Sequence, residues 1–321
     1  TANPTEVREG RQPGGWRFIP GWLRAGAWWR ESAFFGYLLN SPALLLLLLL
    51  EAYPVVQAVW TSFQRHNLMR PNMRGFAGVE NYATIAGKPE FWTALQVTLV
   101  FVLLSVSLIV LLGIAIAVLA NQPIRGQAIL RTLILVPWAI PPVVNGLMWQ
   151  WIYNSRAGAL NGLLVSLGII DDYRSWLSEP TTALLLTVLA HVWNQLPLAV
   201  LIFLAGLQTI PGDLLGAAMV DRAGPWRRFR HIVMPWLIHP LIIVLILQTM
   251  IALRVFELIF VLTGGGPGSS TTVIAWLTYQ TAFHFLDFGE ANAYAVVIAV
   301  ATMLLAALYL KSLYARGEIR T

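Results

Sequence analysis

The sequence predicts an all-α polytopic membrane protein with six transmembrane helices, and three observations carry that prediction. Of 321 residues, 57% are hydrophobic and only 11% charged, where soluble domains run near a quarter charged. Mean hydropathy is +0.67, more than one globular core absorbs while still presenting a polar surface to water. The apolar residues also fall into windows of the length a bilayer demands, about 20 residues for a hydrocarbon core about 30 Å thick. Six such windows lie at 38–62, 93–120, 129–153, 181–206, 237–262 and 289–311. The organisation expected is a tail (1–36), a membrane domain (37–312) and a short C-terminal tail (313–321).

Orientation follows from the basic residues between spans. Fourteen Lys and Arg lie in the N-terminal tail, the second and fourth gaps and the C-terminal tail, against six in the first, third and fifth gaps. The positive-inside rule places both termini and the fourth gap in the cytoplasm. The net charge of +6 therefore reports topology rather than nucleic-acid binding. Zero Cys removes disulfides and thiolate chemistry.

Taken in order, the tail mixes Gly, Pro and Arg with Trp16, Trp22, Trp28 and Trp29, which suits a segment lying in the lipid headgroup layer. The first apolar run starts too late and is too long for a secretory peptide. Span one carries a leucine run (44–50), then Glu51 near mid-depth and Pro54; a carboxyl there suits a protonated or hydrogen-bonded group at a subunit contact. The loops at 63–92 and 154–180 are polar, with patches compatible with short helices. Span three contains Pro137, Pro141 and Pro142, which either kink the helix for packing or mark a helix lining a pathway.

Polar residues recur in the outer half of the membrane domain. Asn145 and Trp149 lie in span three, and Trp193, Asn194 and Gln195 in span four. Aromatic faces suit the apolar side of a sugar ring and amides suit its hydroxyls, so these five are candidate pathway residues. Arg254 and Glu257, three apart, are spaced to pair on one helix face, as a structural ion pair or as ligand contacts. Catalysis has no footing. His66, His191, His231, His239 and His284 lack metal-binding spacing, and no Gly-x-Ser-x-Gly elbow occurs. The glycines at 264–268 lack the Lys-Ser/Thr of a phosphate loop.

The fourth gap, 210–235, is the most informative stretch. Asp213 follows a Pro-Gly break as an expected N-cap for a short helix over 214–221. Gly224-Pro225 then punctuates, and a second helix places Phe229, Ile232, Val233 and Trp236 on one stripe. The small side chains Ala217 and Ala218 let another surface approach the first helix closely. On these residues alone, a cytoplasmic loop resting on the membrane is the favoured reading.

This loop resembles the EAA motif of the permease subunits of bacterial ABC importers. Ala217 and Ala218 match its alanines, Ile232 its isoleucine and Pro235 its proline; Asp221, Ala223 and Phe229 match the form in sugar-type members. Gly216 stands where the motif has Glu, Arg222 where it has Gly, and Met234 where it has Leu. Further segments are similar to the sugar-importer permeases: Phe76-Ala77-Gly78-Val79-Glu80-Asn81-Tyr82, the region from Trp151 to Leu163, and Arg254-Val255-Phe256-Glu257 with the glycines that follow. The resemblance covers about residues 40–312.

It implies a type I ABC importer permease fold in the bacterial inner membrane, pairing with a second homologous permease, two ATPase subunits and an extracytoplasmic substrate-binding protein. ATP and Mg²⁺ would bind the partner subunits, with no cofactor, metal or catalytic residue here. The substrate implied is a carbohydrate of the trehalose or maltose type, with glycerol 3-phosphate as the alternative. An ion-driven secondary transporter, the reading from another class, calls for symmetry-related broken helices.

Overall fold

The computed structural model describes residues 33–123 and 125–315. The surface-lying tail expected at 1–32 falls outside them, as does the chain beyond residue 315. The chain divides after Gln57 into two compact units.

In the first unit, α1 (Ala33–Leu47) runs through a π-turn at Leu48–Ala52 into α2 (Tyr53–Ser62), whose last five residues belong to the second unit. Gly36–Ser62 makes a span of 27 residues, about 40 Å at 1.5 Å per residue, long enough to cross with tilt. Pro42 offers no N–H to the Leu38 carbonyl, and the Ser41 hydroxyl donates to that oxygen at 2.7 Å. Glu51 sits in the π-turn and is exposed.

The second unit opens with an outer loop that the all-α prediction did not resolve. Strands β1 (Gln64–Arg65) and β2 (Gly75–Phe76) pair antiparallel, Gln64 opposite Phe76. The short helix α3 (Glu80–Ala86) follows, and Arg65 Nε donates to Glu80 at 2.9 Å. Span two is α4 (Pro89–Ala120), which starts with Pro in its first turn and has no interior breaker. Span four is α8 (Pro180–Gln208). These two pack closely where Gly113 faces Phe203: a β-carbon at Gly113 would lie 3.1 Å from the Phe203 ring and 3.4 Å from Ala199. A methyl group on Gly206 of α8 would collide with the Pro240 ring.

Span three is not one helix over 129–153. It is α5 (Gln127–Leu135), a 3₁₀ turn at Val136–Ala139 and α6 (Pro142–Ile152), with a 96° bend between them. Two adjacent prolines, Pro141 and Pro142, remove two consecutive N–H groups, and that break turns a corner rather than making a gentle kink. Counting this pair as one span gives the six expected. The polar loop after it contains α7 (Ala159–Ser166).

Span five is displaced from its expected bounds of 237–262. Its helix runs from Pro225 to Leu253: α10 (Pro225–Arg228), a π-turn at Phe229–Val233 and α11 (Met234–Leu253) join without a gap. The chain then turns at residues 254–256, and α12 (Glu257–Leu262) is separate. Apolar composition continues through this turn, so hydropathy does not register it. After the glycine loop come α13 (Ile274–Phe283) and span six, α14 (Phe288–Ala315).

The core of the second unit lies where α4, α8 and α11 meet; Phe101, Ile109, Val188, Phe203, Leu237 and Val244 are almost fully buried there. Leu99, Leu103 and Leu111 on α4 face outward, as a lipid-facing surface requires. The outer loop is fastened to the start of α14. Leu68 N–H donates to Leu286 O at 2.9 Å, Phe288 N–H to His66 O at 2.8 Å, and the Asn67 amide to Asp287 at 2.8 Å. Lys88 and Glu290 form an ion pair beside them.

Candidate functional site

The corner in span three creates polar groups that the membrane interior does not forgive, since backbone carbonyls there must be satisfied by protein. Pro141 cannot donate to the Pro137 carbonyl. Asn194 of α8 supplies the donor: its Nδ2 reaches Pro137 O at 2.8 Å and Ile140 O at 3.1 Å. The Gln195 amide donates in turn to Asn194 Oδ1 at 2.7 Å. Gln248 of α11, nearly fully buried, donates to the Gln195 carbonyl at 3.5 Å. The break is therefore braced by a chain of amides from two neighbouring helices.

Beside this brace lies a cavity of about 270 Å³ whose lining includes Pro142, Asn145, His191, Asn194, Gln195, Arg254 and Glu257. Five of the seven pathway candidates named from the sequence thus meet in one place. Asn145, 2% exposed, donates to the Ala190 carbonyl at 3.2 Å, while its Oδ1 has no partner. His191, 5% exposed, sets its ring edge-on to Phe101 at 5.1 Å, and its Nε2 also lacks a partner. Leaving such a buried atom unmatched costs about 1–3 kcal/mol, so each is a place where a ligand group gains by arriving.

Arg254 and Glu257 do not sit on one helix face. The turn between the helices separates them: Arg254 caps the end of α11 and Glu257 begins α12. Arg254 Nε donates to Met250 O at 3.2 Å, and among the described residues no ion pair joins the two. Both are exposed at the cavity.

Trp149 and Trp193 stand apart from the cavity lining. They pack edge-on against each other at 5.7 Å, and Trp149 also meets Tyr153 at 5.1 Å. His191 is the lining residue that the search for metal spacing passed over. Its signal was its position three residues before Asn194, on the same helix face.

The second candidate region is the fourth gap. Its first helix is α9 (Gly212–Val220), which starts two residues before the expected range and ends one residue before it. Pro211 is the N-cap, and Asp213 lies within the first turn without a capping bond. There its charge still favours the positive helix end. The helix closes with Asp221 N–H on Ala217 O and Ala223 N–H on Ala218 O, both at 2.9 Å. Arg222 takes φ of 52°, the left-handed geometry a helix C-terminus commonly uses and glycine adopts at least cost. The glycine of the EAA pattern thus corresponds to the one residue here with a left-handed backbone, and Gly224, at φ −63°, begins the next helix instead.

α9 presents apolar side chains outward: Val220 is 84% exposed, and Met219 and Leu214 are exposed as well. Ala217 is exposed and Ala218 half-buried. Nothing lies within 4 Å of a β-carbon built on Gly216. Behind the helix, Trp226 stacks on Phe229 at 5.6 Å. Phe229, Ile232 and Val233 are half-buried, but Leu237 rather than Trp236 is the side chain that reaches the core. The π-turn shifts the stripe by adding a residue ahead of Pro235.

Comparison with known proteins agrees in kind. Residues 109–317 match the family described as binding-protein-dependent transport system inner membrane component. Over 281 residues the chain is 38% identical to the trehalose/maltose transport system permease protein MalF of Thermococcus litoralis, covering 88% of this chain and 94% of that one. It is 36% identical to the sulfoquinovosyl glycerol transport system permease protein SmoG of Agrobacterium fabrum, covering 91% and 94%. Among solved structures, a bacterial ABC transporter involved in the import of alginate superposes with a TM-score of 0.77 at 19% identity, over 90% of this chain and 98% of that one.

Proposed function

The chain belongs to the family of binding-protein-dependent transport system inner membrane components, and from that premise we propose that it forms half of a carbohydrate pathway driven by ATPase subunits docked on α9. The observation that carries the substrate class is the cavity at the span-three corner. It sets a free Asn145 Oδ1 and a free His191 Nε2 beside Gln195, Arg254 and Glu257. Neutral donors and acceptors together with one acid and one base match the mixed hydroxyl pattern of a sugar. At about 270 Å³ the cavity lies below the range of about 300–1,000 Å³ usual for ligand sites, so a second permease is needed to complete it. The names of the relatives, trehalose/maltose and sulfoquinovosyl glycerol permeases, support the same class.

In this reading the cavity opens alternately to the two sides as the paired permeases rock. ATP and Mg²⁺ bind the ATPase subunits, and this chain contributes no hydrolysis. Both termini and the 210–235 loop face the cytoplasm, and an external binding protein delivers substrate to the other side. Reporter fusions after Ala315 and near Asp171 check the orientation: the first is expected to read cytoplasmic and the second external. Reversed readings overturn the docking role of α9.

A second substrate reading has its own observation: Arg254 lines the cavity and pairs with no carboxylate among the described residues. An anionic ligand, a sulfonated or phosphorylated glycerol, would meet that guanidinium. Uptake by membranes holding the full complex separates the two. A neutral disaccharide is expected to compete with labelled trehalose and to tolerate Arg254→Gln within a fewfold. If only glycerol 3-phosphate or a sulfonated sugar enters, and Arg254→Gln abolishes that uptake, the anionic reading replaces the neutral one.

A further inference from the structure

Two further cavities lie away from the span-three corner. One, of about 510 Å³, opens between the start of α4, the glycine loop and α13. The other, of about 770 Å³, opens between the outer loop, α13 and the start of α14. Glu90, Leu277 and Phe285 line both, so the two adjoin across these three side chains. Neither shares a lining residue with the corner cavity. Each falls within the range of about 300–1,000 Å³ usual for ligand sites.

The walls are fixed without help from a ligand. Around the larger cavity, Asn67 and Lys88 are held by Asp287 and Glu290. Around the smaller, the Thr271 hydroxyl donates to Gly266 O at 2.8 Å and the Thr272 hydroxyl to Gly265 O at 2.9 Å. Gly265, at φ of 85°, lies so close to Trp276 and Thr272 that no β-carbon fits. Other lining groups are not so engaged. Among the described residues, the Glu90 carboxylate makes no hydrogen bond or ion pair, and no aromatic ring packs on Phe285, which is 59% exposed. The side chains of Arg70, in the larger cavity, and Gln280, in the smaller, are likewise unbonded among those residues. Glu90 also lies in the first turn of α4, where a carboxylate favours the positive helix end. No such local role accounts for an open ring on the turn between α13 and α14.

We propose that the two adjoining cavities form an outer carbohydrate-binding site, separate from the corner, in which a neutral di- or oligosaccharide lies against Phe285 and Glu90; this rests on the carbohydrate reading above. A carboxylate acceptor, a guanidinium donor and an amide that does both suit the hydroxyls of a sugar, and an open phenyl face suits its apolar C–H side. The larger cavity sets Arg70 and Lys88 against Glu90, Asp287 and Glu290, so the charges nearly cancel and a neutral ligand is favoured over an anion.

The test uses the complete complex of permeases and ATPases, with the binding protein left out so that the outer face is open. A diazirine analogue of trehalose, or of maltose if uptake selects that sugar, is photolysed on the complex, and adducts are mapped by mass spectrometry. Adducts are expected in the segments 67–70 and 277–290, suppressed by excess unlabelled sugar. Glu90→Gln and Phe285→Leu are each expected to lower that labelling about threefold to tenfold. Outer segments that stay unlabelled, or outer adducts that excess sugar leaves unchanged, overturn the outer site and leave the carbohydrate reading intact. Variants that label as the wild type does overturn it as well, and a raised requirement for binding protein at half-maximal uptake then assigns the cavities to that protein. A wild-type complex that takes up no neutral sugar in proteoliposomes overturns both readings.

Discussion

The cavity at the span-three corner and the α9 hairpin meet opposite demands with opposite chemistry. At the corner, polar groups are buried and matched to one another, with Asn194 donating to two carbonyls that the prolines left open. At α9, apolar side chains stand outward, Val220 most of all, and the backbone is already closed by its own turn. The corner is complete except for the atoms a ligand would match. The hairpin is complete except for the surface that would cover it. On the proposed function, one region would hold a substrate by polarity and the other a protein by shape.

The largest expected effect comes from breaking the corner. Asn194→Leu removes the donor from two carbonyls at membrane depth, and each orphaned group costs about 1–3 kcal/mol. The complex is expected to lose thermal stability and yield before any change in substrate affinity is measurable. Asn194 is thus a positioning residue for the break, and a variant that assembles normally and raises only the KM would assign it to the ligand instead.

Overpacking α9 ranks next. Ala218→Trp inserts a bulky ring where a partner approaches, at a cost of about 1–3 kcal/mol. ATPase recovered with the complex is expected to fall, or ATP hydrolysis to lose its stimulation by substrate. Full, coupled activity would mean that nothing docks closely there.

Arg222 and Gly216 sharpen the comparison at smaller amplitude. Arg222 holds a left-handed backbone, strained for any side chain by about 1–2 kcal/mol, of which glycine's extra freedom in the unfolded chain cancels part. Arg222→Gly is expected to stabilise the hairpin in the isolated permease. If the Arg222 charge also replaces the missing Glu at Gly216, the same substitution weakens ATPase retention, and less so beside Gly216→Glu, which has open space around it. A double-mutant cycle on ATPase retention reads that coupling; strict additivity denies the compensation.

The smallest effect lies outside both regions. Glu179 caps α8, and hydrogen bonds from the Thr182 hydroxyl and then from the Thr182 and Thr181 N–H groups pull its carboxyl down to about 2. Because the folded value lies below the ordinary one, the stabilisation is present above the usual carboxylate range and fades as pH falls toward 2. Glu179→Gln is expected to flatten the stability profile between about pH 5 and pH 2, a slight effect at an exposed cap.

What was legible in the sequence follows the same division. The six apolar windows and the hairpin are local features, carried by runs and by residues within a few positions of each other. Even there, hydropathy ran straight through the turn at 254–256, because leucines and valines flank it on both sides. The corner was visible as three prolines, but its consequence was not: Asn194 meets Pro137 from 57 positions away. Arg254 and Glu257 both line the cavity but form no pair on one helix face, since the break that separates them leaves no mark in composition. His191 is weighed in the sequence only for metal spacing, because an unpartnered nitrogen is a property of packing.

If α9 holds the ATPase while the corner holds the substrate, a thiol placed on α9 lies at the ATPase contact, and the sequence holds no Cys of its own to compete with it. Val220→Cys introduces a single thiol at the most exposed apolar position of α9. A short bis-maleimide is applied to the assembled complex, with single cysteines engineered on the ATPase surface, and the product is identified by mass spectrometry. A covalent adduct between this chain and the ATPase subunit is expected, suppressed when Ala218→Trp is also present. A thiol that stays fully open to a water-soluble maleimide in an assembled, active complex, with no ATPase adduct from any position, contradicts it.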